Sequence, residues 1–588
     1  MSRRLITPGI FSAIGLAFVA AAFACENGRD TFDKAPSAFE VPPEVDAGEC
    51  PFQCSLDGRS VIRSCTGEVV DTCPKEQACG GARCQDPCAA AAEDNSSNGC
   101  EFYIQSPPTI STRKDSCYAA FVVNPTSLPL TISLDRGGEA LDLSAAMFRT
   151  TPGDATLIPH TGPIPPDESV ILFLSDHDPA IPLNADDPVP CPAGVKPAVY
   201  SGTASPRTGF GSSFHLKSSA PVSLVSIFPF GGAKSFVPSA TLHMPVVTWG
   251  KEHILVNGWE GGGPASRIVA SQDGTEITII ANKTLQSGLD VNGGPADTPL
   301  KYSLDKGQYF QIVQAEELGG STVLSNKPTS MFGGNSCANI PIVGAACDTL
   351  WQQIPSYDQW GSEYVGVGYR PRTASPHELM PYRIVAAHDG TRLEYEPNIP
   401  PGAPTEMNAR DTVTFPVGID EPFVVRTQDA EHPIYVAAYM QGLAGKYYGS
   451  PTMSTGDPEF VNVVPAEQWR SSYSFYADPT YDETSLVVIR GKQRDKFEDV
   501  WLECAGPLEG WTPIGTRGNY EFVRVDLQRN RGPGQAFGDR VCQTGLHRMK
   551  SEGPFTATIW GWSVYASYAY PGGMALRKLV DKPLLPVK

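Results

Sequence analysis

Beyond its first two dozen residues the chain has no apolar run approaching 18 residues, which excludes a helical membrane span in the processed protein. A sustained 3.6-residue periodicity is also missing, so helices are expected to be few. Cationic side chains are scarce: 45 lysines and arginines stand against 64 aspartates and glutamates, for a formal net charge of −19. That balance argues against nucleic acid as a partner and against electrostatic adhesion to anionic lipid. Catalytic signatures are absent too. There is no Gly-x-Ser-x-Gly elbow, and His377-Glu378 is followed by Leu-Met-Pro, without the second histidine of a zinc-protease helix. Gly261-Gly262-Gly263 lacks the helix and the lysine of a phosphate loop and reads as a flexible connection. No catalytic residue is assigned.

What is present begins with an export signal. Arg3 and Arg4 precede a small and apolar stretch over residues 10–22, and Ala22-Phe23-Ala24 matches an A-x-A cleavage site. Cys25 then stands where a lipoprotein carries its acylated cysteine. Of 15 cysteines, acylation of Cys25 leaves 14, an even number suited to disulfides; plain secretion with an odd thiol is the alternative. Residues 25–49 hold three prolines and a surplus of acids and read as an extended, self-repelling tether. Residues 50–99 form a cysteine-rich module. Cys50, Cys54, Cys65, Cys73, Cys79, Cys84 and Cys88, with Cys100 just beyond, serve a segment too small to fold on an apolar core alone. Zinc is the alternative at Cys50/Cys54 and Cys84/Cys88, but an oxidising compartment favours disulfides, whose pairing eight cysteines leave open.

From residue 100 onward a period of about 110 residues dominates. Pro245-Val-Val-Thr-Trp249-Gly250, Pro355-Ser-Tyr-Asp-Gln-Trp360-Gly361 and Pro465-Ala-Glu-Gln-Trp469 open β-rich stretches, their tryptophans 111 and 109 residues apart. Arg267-Ile-Val-Ala-Ser-Gln-Asp-Gly-Thr275 returns as Arg383-Ile-Val-Ala-Ala-His-Asp-Gly-Thr391, which predicts a type I′ hairpin at Asp273-Gly274 and at Asp389-Gly390. Strands introduced by Pro221, Pro328, Pro433 and Pro554 mark the close of each copy. The chain is therefore expected to be mainly β: four antiparallel sandwich-like repeats over 100–240, 241–345, 346–455 and 456–588, each with its own core, or alternatively one large propeller-like β ring. Cys117 with Cys191, Cys337 with Cys347, and Cys504 with Cys542 are candidate staples within repeats.

Candidate binding groups compete with duller roles. Trp249, Trp360 and Trp469 could be stacking platforms, but one tryptophan at the same place in three repeats argues for a core plug. Asp273 and Asp389 are explained by turn geometry, Glu252 and Glu363 by exposed strand edges, and His388 by a surface turn. No metal site is assigned and no cofactor is expected, with calcium the one to weigh. Asp176, Asp178, Asp186 and Asp187 crowd a proline-rich loop without EF-hand spacing, and a solvated acidic loop is preferred.

Gly334-Asn-Ser-Cys337-Ala-Asn-Ile-Pro341, then Ala346-Cys347-Asp348-Thr-Leu350-Trp-Gln-Gln353-Ile-Pro355 with Trp360-Gly361, resembles the IgGFc-binding protein N-terminal domain family. Residues 554–573, ending Ser567-Tyr568-Ala-Tyr570-Pro571-Gly572-Gly573, look like its closing segment, and the resemblance extends over most of residues 100–575. The chain is also similar to bacterial exported proteins that carry this domain. The family takes its name from a mucin-associated animal protein that binds the Fc portion of immunoglobulin. The von Willebrand D-type cysteine repeats that accompany the domain there are missing here, so immunoglobulin binding is not carried over. The resemblance implies an extracytoplasmic adhesion or ligand-binding module without known catalysis. The expected protein is thus a non-enzymatic surface lipoprotein, or a secreted one, whose partner is an extracellular protein or glycan. A β-rich hydrolase acting on polysaccharide and an inert coat protein are the alternatives.

Overall fold

The computed structural model describes residues 50–584, apart from 56, 183–187, 203–204, 343, 345, 373–377 and 443–454. The only α-helix among the described residues is Pro87–Asp94 in the cysteine-rich module. Pro87 opens it, the Asp86 carboxylate accepts from the N–H groups of Cys88 and Ala89, and Asn95 ends it in the left-handed region. Everything after it is β.

The chain builds one strand set four times. In the second unit a long strand, Thr322–Ala338, is the spine. Its first half pairs with Gly250–Ile254 and Thr275–Ile280, and its second half with Pro264–Ala270 and Asp348–Ile354. The other spines, Phe214–Phe228, the split pair Phe423–Thr427 and Ile434–Met440, and Gly545–Ser563, collect their partners in the same order. Each spine thereby crosses from one sheet of a sandwich to the other. Pro221, Pro328, Pro433 and Pro554 sit where it crosses: pairing shifts register beside three of them, and the fourth lies in the gap of the split spine. A proline has no N–H for the ladder, so it belongs at such a break. These prolines lie inside the spines and do not introduce new strands.

The Asp-Gly turns are likewise not hairpins. Pro264–Ala270 and Thr275–Ile280 pair with opposite halves of the spine and not with each other, as do Leu379–Ala386 and Thr391–Glu396. Only the glycine of each turn has positive φ, 60° at Gly274 and 68° at Gly390, whereas a type I′ turn needs two such residues. The aspartates fasten these corners to the adjoining loop: Asp273 Oδ1 accepts from Lys306 N at 2.9 Å and Asp389 Oδ1 from Ala409 N at 3.0 Å.

After each spine the chain doubles back into an inner strand: Ser239–Leu242, Asp348–Ile354, Glu459–Asn462 and Ala566–Pro571. Every residue of these four is buried. Each packs against the next and the fourth returns to the first, so the sandwiches close into a ring about one axis. Both architectures expected from the sequence thus coexist: sandwich units, propeller-like arrangement. Gln352 lies at the axis, and its Nε2 donates to the carbonyls of Ala240, Phe460 and Ala569 at 2.8, 3.0 and 3.2 Å, one from each of the other inner strands.

The recurrent Pro…Trp-Gly motif is the joint between units. Three 3₁₀ turns, Val246–Thr248, Tyr357–Gln359 and Ala466–Gln468, follow the first three inner strands. A Cβ on Gly361 would lie 2.3 Å from Pro465 Cβ, and one on Gly250 would lie 2.5 Å from Ser356 Cβ. The next unit's turn therefore docks on the bare backbone after the previous tryptophan. Gln359 Nε2 donates to Thr248 O, and Gln468 Nε2 to Gln359 O, linking the turns in series. The fourth inner strand has no such turn after it. Instead residues 574–584 run back across the other three turns and pair with residues 95–97 through Ser97 N to Met574 O and Leu576 N to Asn95 O.

The units do not have separate cores. One continuous apolar cluster includes Phe121 and Phe230 of the first unit, Val365 and Val436 of the third, and Val487 and Trp560 of the fourth; another joins the second unit to the third. Interlocked inner strands leave no solvent layer between sandwiches.

Three carboxyls are buried on the spine-exit side of Gln352. Asp348, Asp457 and Glu459 are each at most 2% exposed. Burial pushes Asp348 and Glu459 well above the ordinary carboxylate range, with the neighbouring Asp457 and Glu459 adding to the rise at Asp348. Asp457 is raised to about 7, by burial against the opposing charge of Arg372. Ser239 Oγ and Phe460 N both donate to Glu459 Oε1.

Two outcomes follow. Gln352→Leu strands three buried carbonyls from three units and should lower stability by about 2–4 kcal/mol, measured as a fall in the denaturant midpoint. Asp457 binds its proton more tightly folded than unfolded, so its contribution is intact below about pH 4 and is lost as pH rises toward 7. Asp457→Asn should therefore match wild type in thermal unfolding at pH 4 and exceed it at pH 8; equal midpoints at both values would contradict this assignment.

Candidate functional site

The structure places the sequence-selected residues unequally. Cys25 lies outside the described residues, as do Asp186 and Asp187. Asp176 accepts from the N–H groups of His177 and Cys191, and Asp178 from that of Ala180, so both are engaged in holding their loop. The disulfides are Cys50–Cys65, Cys54–Cys79, Cys73–Cys84, Cys88–Cys100, Cys117–Cys191, Cys337–Cys347 and Cys504–Cys542. Cys88–Cys100 ties the cysteine-rich module to the first strand of the ring.

Trp249, Trp360 and Trp469 are buried, and each indole N–H donates to the carbonyl five residues earlier, at 3.1, 3.1 and 3.0 Å. No aromatic face is left there for a ligand. His388 is not a surface turn residue. It is buried, its Nε2 is 2.6 Å from Tyr357 Oη, and burial lowers it to about 4, so it is neutral at physiological pH. Glu252 and Glu363 are more engaged than strand edges require. Glu252 Oε2 accepts from Leu584 N, and Glu363 Oε1 accepts from Arg426 and from Tyr520 Oη of the next unit.

A cleft of about 260 Å³ opens where the fourth unit's spine ends, lined by Thr455, Asp482, Glu483, Asn530, Arg531, Trp562 and Ser563. Four separate chain segments meet there. Trp562 and Ser563 end the fourth spine, Asp482 and Glu483 begin its partner Glu483–Gly491, and Asn530-Arg531 form the tip after Tyr520–Arg529. Thr455 belongs to the connection leading to the third inner strand and bridges to Val564.

Its walls are fixed by hydrogen bonds. Asp482 N donates to Ser563 Oγ at 2.9 Å, Asn530 N to Glu483 Oε1 at 2.9 Å, and Arg531 N to Asp482 O at 2.9 Å. Asn530 and Arg531 both have positive φ, 49° and 62°, the geometry of a tight turn between antiparallel strands. Charges are matched in pairs. Arg531 grips the Asp482 carboxylate through Nε and Nη2. Arg370, reaching in from the third unit, binds Glu483 at 2.5 Å and Asp526 at 2.7 Å and lies 5.0 Å over the Trp562 ring. Arg529 binds the same two acids. Below the cleft Asp478, held up to about 6 by burial, accepts from Thr480 N at 2.8 Å.

Both lining carboxylates are thus occupied by guanidinium groups, and no pair of free acids faces across the cleft as glycoside hydrolysis demands. The arrangement suits recognition. Sequence reasoning missed all seven lining residues, because segments more than 100 residues apart supply them. Two signs were available: Asp482-Glu483 at the head of an apolar strand, and the arginine-rich tip Arg529-Asn-Arg531.

A comparison with curated proteins found no match. A family model described as IgGFc binding protein matches residues 239–561, more than half of the chain. The matched stretch runs from the first inner strand almost to the end of the fourth spine and stops short of the first unit, which the motif resemblance had included. It contains the Cys337–Cys347 motif, the axial Gln352 and most of the cleft. The family speaks for an extracellular binding role and is not known for catalysis. By this match the chain belongs to the IgGFc-binding protein family.

Proposed function

We propose that the protein is a non-enzymatic recognition or adhesion protein of the extracytoplasmic surface, anchored through an acylated Cys25 and presenting the spine-exit end of its ring to a protein or glycan. The observation that carries this reading is the cleft itself. It is a preformed, polar pocket whose acids are neutralised by arginine, a chemistry that holds a ligand and leaves no free acid–base pair to attack one. Support comes from seven disulfides, which suit an oxidising compartment, and from the acidic residues 26–49, whose composition would space the ring from the anchor. No helix among the described residues is long and apolar enough to cross a membrane, which leaves attachment to the lipid.

The test uses the full chain expressed with its own leader. It should partition into the detergent phase, and Cys25→Ala should move it to the aqueous phase. Applied to arrayed extracellular proteins, immunoglobulin Fc among them, and to arrayed glycans, the protein should bind saturably and release no reducing ends from polysaccharide. Cleavage that disappears in Asp482→Asn would replace this reading with the hydrolase.

A further inference from the structure

We infer that the cleft of the fourth unit takes a neutral, polyhydroxylated ligand, a single pyranose ring of a glycan. This rests on the recognition reading and adds the ligand class. Three properties of the cleft select that class.

The first is charge. Asp482 is matched by Arg531, and Glu483 and Asp526 are matched by Arg370 and Arg529. Three acids and three arginines leave no surplus of either sign to draw in a phosphate, a sulfate or a basic peptide. An ionic ligand would also have to break one of these pairs and leave its partner uncompensated.

The second is the density of hydrogen-bonding groups. A carboxylate offers about four acceptor sites and a guanidinium five donors, so the Asp482–Arg531 contact uses only part of each. What remains is a row of acceptors beside a row of donors, extended by the Asn530 carboxamide and the Thr455 and Ser563 hydroxyls. A sugar hydroxyl both donates and accepts. Two on adjacent carbons can bridge a carboxylate and the guanidinium beside it, each giving a proton to one and taking one from the other. Few other neutral ligands present such pairs at fixed spacing.

The third is preorganisation and size. The Asn530-Arg531 turn is tied to Glu483 and to the Asp482 carbonyl, Asp482 is tied to Ser563, and Arg370 is stacked on Trp562. Binding therefore orders few side chains. A volume of about 260 Å³ falls just below the range of drug-sized sites, which admits one ring and leaves the rest of a glycan outside.

The full chain is applied to an array of neutral, sialylated and sulfated oligosaccharides, and then titrated calorimetrically with the methyl glycosides of glucose, galactose, mannose and N-acetylglucosamine. Neutral glycans should bind in preference to charged ones, and at least one glycoside should saturate. Arg531→Ala and Asp482→Asn should each weaken that glycoside at least tenfold without shifting thermal unfolding. Asp482→Asn keeps the shape of the site should Arg531→Ala disturb the fold. A preference for charged glycans, or neutral binding untouched by both variants, overturns the ligand class. Binding of an extracellular protein alone also overturns it and leaves the recognition reading standing; binding of neither proteins nor glycans overturns both.

Discussion

Four buried strands with one unpaired edge each set the terms for this molecule. Every inner strand gives its ladder bonds to the spine on one side, and its other edge faces the axis with no strand to pair with. Exposed, such edges would invite aggregation; buried, each orphaned N–H or C=O costs the equivalent of a lost hydrogen bond. Side chains borrowed from the neighbouring unit provide the partners. Gln352 caps three carbonyls, Thr241 Oγ1 donates to Trp351 O, Ser239 Oγ accepts from Trp351 N, and Asn462 Nδ2 donates to Gln353 O. Polar residues in otherwise apolar strands are therefore the means by which four sandwiches become one body.

The repeated arginines reinforce the same dependence. Arg267 is wholly buried and donates from Nη1 to Ser106 O of the first unit, with its guanidinium 4.2 Å over Tyr309 and 5.0 Å from Trp351. Arg383 repeats the gesture one unit on, reaching Asn257 O and Glu317 beside Trp259. Each unit is held by a cation placed in the unit before it, and only a planar, weakly hydrated guanidinium suits an aromatic slot of this kind. The fourth unit departs from the pattern where the ring ends. Arg470 stands where Gly250 and Gly361 stand in the others, and it pairs with Asp94 at 3.1 Å because no further turn has to dock there.

Much of this was legible in the amino-acid order, and the illegible part has physical causes. The period, the β class and the motif at Cys337 and Cys347 are local, and local patterns survive in a string. The Asp-Gly turns misled because one left-handed glycine makes a corner as well as a hairpin; strand pairing tells them apart, and pairing is long-range. His388 looked exposed because its repeat partner is Gln272, but the returning residues 574–584 bring Lys582 O to Tyr357 Oη beside it. The cleft was invisible for the strongest reason: its acids, arginines and tryptophan come from four segments that meet only once the ring has closed. Asp348 and Gln352, by contrast, were in plain view within the family motif, with nothing local to reveal that they face an axis.

The closing clasp at residues 574–584 carries a consequence for biogenesis. Its hydrogen-bonding partners at residues 95–97 leave the export channel nearly 500 residues earlier. Until those last residues arrive, the first and fourth sandwiches hold unsealed apolar flanks that belong against each other. Maturation outside the cytosol is thus an all-or-nothing event timed by the tail, in which early disulfides protect a waiting N-terminal half and the final dozen residues complete the circle.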